Sequence, residues 1–384
     1  MAAHTQKVVM VDALVGNDYS FNLCNSLKTA GVDINLVVTE DRDVTKPVGF
    51  SLLKLQPSKE RGGGGKAEKT VKFFKYLSQL RRFVSENKVK VVHYQFFRRA
   101  RVESLFYAFM RFTGVGMVHT VHDAMPLDEK RIDYLFRLLT YKVSKALIVH
   151  SDYIKQVLMR EFDIPDEKIK IIPHGDFDDF LPENPITKAE ARKSIGFSQD
   201  DQVLLFFGHI KKYKGLDLLL QAFEKAAVKN PKLKLIIAGR PDGDALAKHY
   251  NDMIDAMQSK SQVLFDASFI PDEKVAEYFT ASDMLTLPYT NIYHSGVLHL
   301  AYSFALPVLA TRVGDFEESI EHGKSGVLLE ENTEKALTAA IEKAFANPVA
   351  LADMGKYARR LSEDKYSWSN VANITKSTYE ALAA

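Results

Sequence analysis

Short apolar runs rich in β-branched residues alternate with longer amphipathic stretches along almost the whole chain. Val8–Leu14, Ile34–Val38, Val89–His93, Val115–Val121 and Ala146–His150 are nearly continuous in apolar character, the pattern of strands buried on both faces of a parallel sheet. Between them, Phe21–Ala30 and Val71–Glu86 carry apolar residues at helical spacing and are long enough for crossover helices. Ile169–Pro173 reads as a last strand, after which the pattern breaks. The stretch from Asp176 to Thr187 is acidic and carries Pro182 and Pro185, the mark of a domain boundary. A second series opens with Gln202–Phe207 and continues through Leu233–Ala238, Val263–Phe265, Met284–Pro288, Val308–Thr311 and Val327–Leu329. Helical stretches such as Leu216–Val228 and Asp272–Ala281 follow its strands. From Thr333 to Ala384 the pattern is helical throughout, long enough to reach back over the first series.

Strand–helix alternation repeated twice predicts two doubly wound α/β domains. The expected divisions are residues 1–178, residues 179–362, and a closing helix 363–384 packed on the first domain. Ligands of such folds bind beyond the carboxyl ends of the strands, so the expected site is the cleft between the halves.

Composition narrows the class. A chain of 384 residues, 46% apolar and 26% charged, is a soluble globular protein too long for one ordinary core. No apolar run approaches the roughly 18 residues that span a bilayer. One cysteine, Cys24, excludes an intramolecular disulfide and a multi-cysteine metal site. With a polar Met1–Lys7 leading into a strand, the expectation is a protein of the reducing cytosol. The net charge of +2 conceals fifteen Lys or Arg against four Glu between Lys54 and Arg111. Such a stretch points to an anionic partner (lipid headgroups, nucleic acid or a phosphorylated substrate) or to a solvated helical face. Within it, Lys66, Lys69, Lys72, Lys75 and Arg82 interleave with Val71, Phe73, Phe74, Leu77 and Leu80, an apolar stripe flanked by cations.

Three stretches carry candidate chemistry. Phe206-Phe207-Gly208-His209-Ile210-Lys211-Lys212-Tyr213-Lys214-Gly215 ends a strand, crowds three lysines into a short loop and opens a helix. Ammonium groups and helical N–H groups converging on one point suit a diphosphate. Tyr293-His294-Ser295-Gly296-Val297-Leu298 opens another helix, with Ser295 as its predicted cap and amides available to an anion. Val118-His119-Thr120-Val121-His122-Asp123 places His122 at the carboxyl end of a strand, and Gly16-Asn17-Asp18 forms a polar turn after the first strand. His93, His150 and His174 end other strands at no metal-ligand spacing, and read as packing or cleft-lining residues. Gly62–Gly65 with Lys66 falls short of a P-loop, because Glu60 and Ala67 stand where Gly and Ser or Thr are needed. No G-x-G-x-x-G follows a strand, which argues against a nicotinamide or flavin enzyme.

The chain resembles glycosyltransferase family 4 of the GT-B fold over nearly its full length. The matching pieces are Gly208…Lys214-Gly215 before a Leu-rich helix, Ala238-Gly239, Ala281-Ser282-Asp283-Met284 and Pro307–Thr311 with Val313-Gly314. Glu318, Gly323-Lys324-Ser325-Gly326, Val91-Val92-His93, Thr120-Val121-His122 and Ile172-Pro173-His174-Gly175 complete the series. The resemblance implies two Rossmann-like domains facing across a cleft, with C-terminal helices crossing back to the first. It implies a retaining, metal-independent hexosyltransferase with no cofactor beyond its nucleotide-diphosphate-sugar substrate. Lys214 takes the position of the donor-phosphate lysine, and Lys211 is the candidate for the accompanying basic residue, which family members place there or at the position of the donor-side His209. His122 matches the histidine that contacts the transferred sugar, and Gly16 the glycine near the phosphates. Gly208, Gly239, Arg240, Ser295, Gly296, Val297 and Glu318 fall on the donor side; Asn17, Asp18 and Asp123 fall on the acceptor side.

One departure stands out. Many family members carry two glutamates eight residues apart around the Gly-rich helix start, and this chain has Ile292 and Leu300 there. The leading expectation is transfer of a hexose from a UDP- or GDP-sugar to a glycan or lipid-linked acceptor in envelope or extracellular polysaccharide synthesis. The basic stretch allows peripheral contact with the inner face of an anionic membrane. The rivals are a sugar phosphorylase or epimerase of the same fold and a catalytically silent nucleotide-sugar-binding homologue. Nucleic acid is not expected as a partner. Phe73, Phe74, Tyr76, Phe96 and Phe97 accompany the basic residues, but no recognised nucleic-acid motif does.

Overall fold

The computed structural model describes residues 7–13, 18–42, 48–58, 66–125 and 131–383. Gly16, Asn17 and the Gly62–Gly65 run lie outside the described residues. The chain forms two compact units, 1–175 with 367–384, and 176–366. These divisions lie three or four residues from the 178 and 362 read from the sequence.

The first unit holds β1 (Lys7–Val11), β2 (Asp33–Thr39), β3 (Ser51–Gln56), β4 (Val91–Tyr94), β5 (Gly116–Thr120), β6 (Ala146–Val149) and β7 (Ile169–Ile171). Their order is β3-β2-β1-β4-β5-β6-β7, with every described pairing parallel. Its helices are α1 (Tyr19–Thr29), α2 (Lys66–Glu86), α3 (Ala100–Phe112), α4 (Arg131–Val143) and α5 (Asp152–Phe162). The second unit carries β8 (Gln202–Phe207), β9 (Leu233–Ala238), β10 (Val263–Asp266), β11 (Met284–Leu287), β12 (Val308–Ala310) and β13 (Gly326–Leu328) in the order β10-β9-β8-β11-β12-β13. Its helices are α6 (Lys188–Ser194), α7 (Leu216–Ala227), α8 (Asp244–Ala256), α9 (Asp272–Ala281), α10 (Gly296–Ser303), α11 (Phe316–Ser319), α12 (Glu334–Phe345) and α13 (Pro348–Glu363). The last helix, α14 (Trp368–Ala383), belongs to the first unit.

Continuous apolar strands follow from burial on both faces. In β1, Val8 and Met10 pack with α1 and α14, while Val9 and Val11 pack with α2 and α3. In β8, Val203 and Leu205 face one core while Leu204 and Phe206 face the other. In both sheets the direction of winding reverses once, between β1 and β4 and between β8 and β11. The loops leaving those four strands therefore flank a switch point in each unit, the place where folds of this kind bind their ligands.

Two readings change in detail. β3 escapes the sequence pattern because it is a half-exposed edge strand, with Lys54 interrupting its apolar residues. The stripe on α2 divides: Phe73, Leu77 and Leu80 are buried in the core, together with Tyr76 and Val84, while Val71 and Phe74 face outward. No helix among the described residues is long and apolar enough to cross a membrane.

Candidate active site

In the second unit, β8 ends at Phe207 and the chain turns through Gly208 to a single 3-10 turn, Lys212–Lys214, before α7. Gly215 joins turn to helix at φ +71°, and a Cβ there would collide with the carbonyl oxygen of Pro288. A glycine is required at this junction. Thr290, after β11, donates both its amide (2.8 Å) and its hydroxyl (3.1 Å) to the carbonyl of Tyr213. The two switch-point loops are thereby fastened together.

This fastening buries Lys214, which is 8% exposed. Its Nζ lies 5.4 Å from the centre of the Tyr289 ring. It also lies 3.2 Å from where a Cβ on Gly208 would stand, and the Val297 side chain is 3.4 Å from the same point. No carboxylate pairs with it among the described residues. Burial, aided by the charge of Lys211, lowers its pKa from 10.5 to about 8. A buried cation without a counter-charge is held at a cost that an anionic ligand would offset.

Beside it α10 begins. Ser295 occupies the cap position but makes no capping hydrogen bond. The first amides of α10, from Gly296 and Val297, precede any intrahelical acceptor. The loop carrying them is pinned by His294, whose Nδ1 is 2.6 Å from Asp315 Oδ2, and by Gly314, which packs against the carbonyl of Ile292. His294 and Asp315 stand 21 positions apart, so no local pattern could have joined them.

Other donor-side candidates are placed as follows. His209 is half exposed, 3.6 Å from Asp242. Lys211 is half-buried, Arg240 is exposed just beyond β9, and Gly239 approaches the Gly208 carbonyl too closely for any side chain. Glu318 is exposed on α11. Leu300 is buried in the core and Ile292 packs against it, so neither glutamate position is filled by a polar group.

In the first unit, Gln95 and Phe96 leave β4 and meet His122 beyond β5. His122 Nε2 is 3.0 Å from Gln95 Oε1, its Nδ1 is 3.3 Å from His150 Nε2, and Phe96 stacks on its ring at 4.4 Å. His150 Nδ1 is 3.0 Å from the Ile172 carbonyl, and Tyr19 packs edge-on against both His122 and His150. His174 joins the cluster 5.2 Å from His150, between ring centres. His93 is buried lower down, between Tyr379 of α14 at 2.6 Å and Thr120 at 2.7 Å. Burial lowers its pKa to about 3, so it is a neutral packing residue. Asp18 pairs with Arg42 at 3.1 Å and Asp123 is exposed. Gln95 was not singled out from the sequence; its signal was positional, as the first residue past a switch-point strand.

The chain matches the Glycosyl transferases group 1 family over residues 187–361 and the Glycosyltransferase Family 4 family over residues 17–175. The chain belongs to glycosyltransferase family 4. This family 4 glycosyltransferase is 26% identical over 285 residues to D-inositol 3-phosphate glycosyltransferase of Gordonia bronchialis, covering 69% of this chain and 61% of that protein. To an uncharacterized glycosyltransferase of Methanocaldococcus jannaschii it is 25% identical over 259 residues, covering 66% and 64%. The aligned part spans less than two thirds of the length of these relatives. Among solved structures, sucrose-phosphate synthase of Thermosynechococcus elongatus superimposes with a TM-score of 0.77 at 18% identity, covering 98% of this chain and 99% of the other. HepE of Anabaena, solved in complex with UDP and glucose, gives 0.74 at 15% identity, covering 98% and 100%. The fold of this glycosyltransferase is GT-B.

Proposed function

We propose that this glycosyltransferase moves a hexose from a UDP- or GDP-sugar to a glycan or lipid-linked acceptor with retention of configuration. The observation that carries the donor half is Lys214, a buried ammonium without an acidic partner among the described residues, close to the Val297 side chain in the first turn of α10. A nucleoside diphosphate supplies the missing negative charge. The UDP and UDP-glucose complexes of HepE, a protein of the same fold, support that class of donor.

In this reading the second unit binds the diphosphate. Lys214, Lys211 and the Gly296 and Val297 amides hold the phosphate oxygens, while Gly208 leaves room for them and Gly239 lets the next strand's end pack against the Gly208 carbonyl. As the C1–O bond to the diphosphate breaks, negative charge gathers on the departing oxygen and positive charge on the sugar ring. Fixed cations and N–H groups stabilise the leaving group without a metal ion. The acceptor oxygen then bonds to C1, and its proton passes to the departing phosphate oxygen. His122, held by Gln95 and His150, orients the transferred sugar, with Asp123 and Asp18 on the acceptor side. Arg240 and Glu318 lie at the margin of the donor site, and Ile292 and Leu300 leave the ribose hydroxyls to other groups.

Thermal denaturation with a series of UDP- and GDP-sugars tests this. A donor at about 100 times its dissociation constant adds about 2.7 kcal/mol of stability. Lys214→Ala should abolish that gain and cost about 2–4 kcal/mol in kcat/KM. A variant that binds and turns over donor as wild type does would end the assignment. Donor binding with neither transfer nor hydrolysis would instead favour a silent sugar-nucleotide binder, and release of sugar phosphate to inorganic phosphate would favour a phosphorylase.

A further inference from the structure

The outer surface of α2 and α3 is unusual for a solvent face. Five large apolar side chains project from it: Val71 and Phe74 from α2, and Leu105, Phe109 and Phe112 from α3, with Phe112 83% exposed. Leu105, Phe109 and Phe112 recur at helical spacing along one stripe. The opposite stripe of α3, with Tyr107 and Met110, is already buried against the sheet. The core therefore has no claim on the outer one.

The two helices lie side by side and run in the same direction. Arg99 sits over the Phe73 ring at 4.7 Å, Tyr76 reaches Glu103 at 3.5 Å, and Arg81 sits over the Phe109 ring at 5.1 Å. The apolar residues are consequently strung along a pair of adjacent helices instead of scattered. The surface is also cationic. Glu68 is paired with Lys72 and Glu86 with Arg82, and Glu103 is buried. Lys75, Arg81 and Arg111 have no ion pair among the described residues. Arg81, with its guanidinium against Phe109, shows how cation and ring share one patch.

We infer that this face docks on an anionic lipid surface, with Phe74, Leu105, Phe109 and Phe112 entering the headgroup–acyl boundary and Lys75, Arg81 and Arg111 meeting lipid phosphates. Apolar and aromatic side chains beside unpaired cations complement such a surface, which is negative outside and apolar beneath. A neutral protein partner would leave the cations uncompensated, and nucleic acid would leave the apolar stripe uncovered. The orientation is useful. α3 follows directly on the loop that brings Gln95 and Phe96 to His122, so the start of the docked face adjoins the acceptor-side residues, while Phe109 and Phe112 lie toward the far end of the helix. The inference deepens the lipid-linked acceptor reading and rests on it for its purpose. Its test uses neither donor nor acceptor, so either reading can fail while the other stands.

Sedimentation of the full chain with phosphatidylcholine vesicles, with and without phosphatidylglycerol, at low and high salt, tests the surface. Binding should require the anionic lipid and weaken with salt, each cation contributing about fivefold to partitioning. Phe109→Ser with Phe112→Ser should weaken binding about tenfold or more. Lys75→Glu with Arg111→Glu should do at least as much, both pairs with unchanged circular dichroism and melting temperature. Equal binding to neutral vesicles, or binding indifferent to both pairs of substitutions, overturns the proposal. So does a lipid-free self-association that Phe109→Ser with Phe112→Ser abolishes, which would make the face a contact between copies of this chain.

Discussion

With a pKa near 8, Lys214 is charged at neutral pH yet close to losing its proton, and the cause is burial beside another cation. A bound diphosphate would remove the reason for the depression and pull the pKa upward. The sign follows from linkage: binding takes up a proton wherever the free enzyme has lost it. Affinity for a sugar nucleotide should be flat below about pH 8, then weaken with rising pH by up to tenfold per unit, about 1.4 kcal/mol. In Lys214→Met the affinity should be lower and this Lys214-dependent slope gone. Calorimetric titration between neutral pH and about pH 10 compares the two, and a wild-type slope surviving in the variant would move the titrating group elsewhere. Lysine crowding around a helix start was visible in the sequence. Which of the three lysines is buried was not, because that depends on Pro288, Tyr289 and Val297, all more than seventy positions away.

At the scale of elements, α14 closes the face of the first sheet against which α1 also packs, with Val371, Ala372 and Tyr379 buried in that core. Its firmest polar tie is the hydroxyl of Tyr379 on the His93 ring. Tyr379→Phe removes that hydroxyl and leaves a buried ring nitrogen without its partner, at a cost of about 1–3 kcal/mol. Amide exchange should then quicken in α14 and α1 and stay unchanged in α7. Uniform acceleration across both units would show that α14 is not specific to the first. Buried parallel strands were the most legible elements, since burial on both faces writes itself as an unbroken apolar run. The edge strand β3 was missed for the converse reason, and the α2 stripe was only half readable. Periodicity shows that Phe73 and Phe74 are apolar, but only the packed sheet decides that Phe73 turns in and Phe74 out.

For the whole molecule, the titrating groups are unevenly shared between the units. His93 and His119 are held near pKa 3 by burial, below their ordinary 6.5. Each contributes stability that is complete above about pH 6.5 and is lost as pH falls toward 3. Glu103, raised by burial to about 7, opposes them by favouring the fold as pH falls from 7 to 4.5. At about 1.4 kcal/mol per pH unit for each group, two against one leaves a net loss of about 1.4 per unit down to pH 4.5 and about twice that below. All three lie in the first unit. Scanning calorimetry of the intact chain should show one transition falling ahead of the other between pH 6.5 and 4.5, and parallel shifts would contradict this.

The chain enters the second unit once and leaves it once, at 176 and 366, before returning to the first with α14. The order of synthesis is thereby set against the order of completion. A ribosome delivers residues 1–175 first, yet their sheet waits for a helix encoded after the entire second unit. The second unit is one uninterrupted segment and can finish its core as soon as it emerges. A chain truncated between 366 and 383 would thus carry a finished second unit tethered to an unfinished first one. During that wait one apolar face of the first sheet stands open, which makes the interval before α14 arrives the point in the protein's life at which misassembly threatens most.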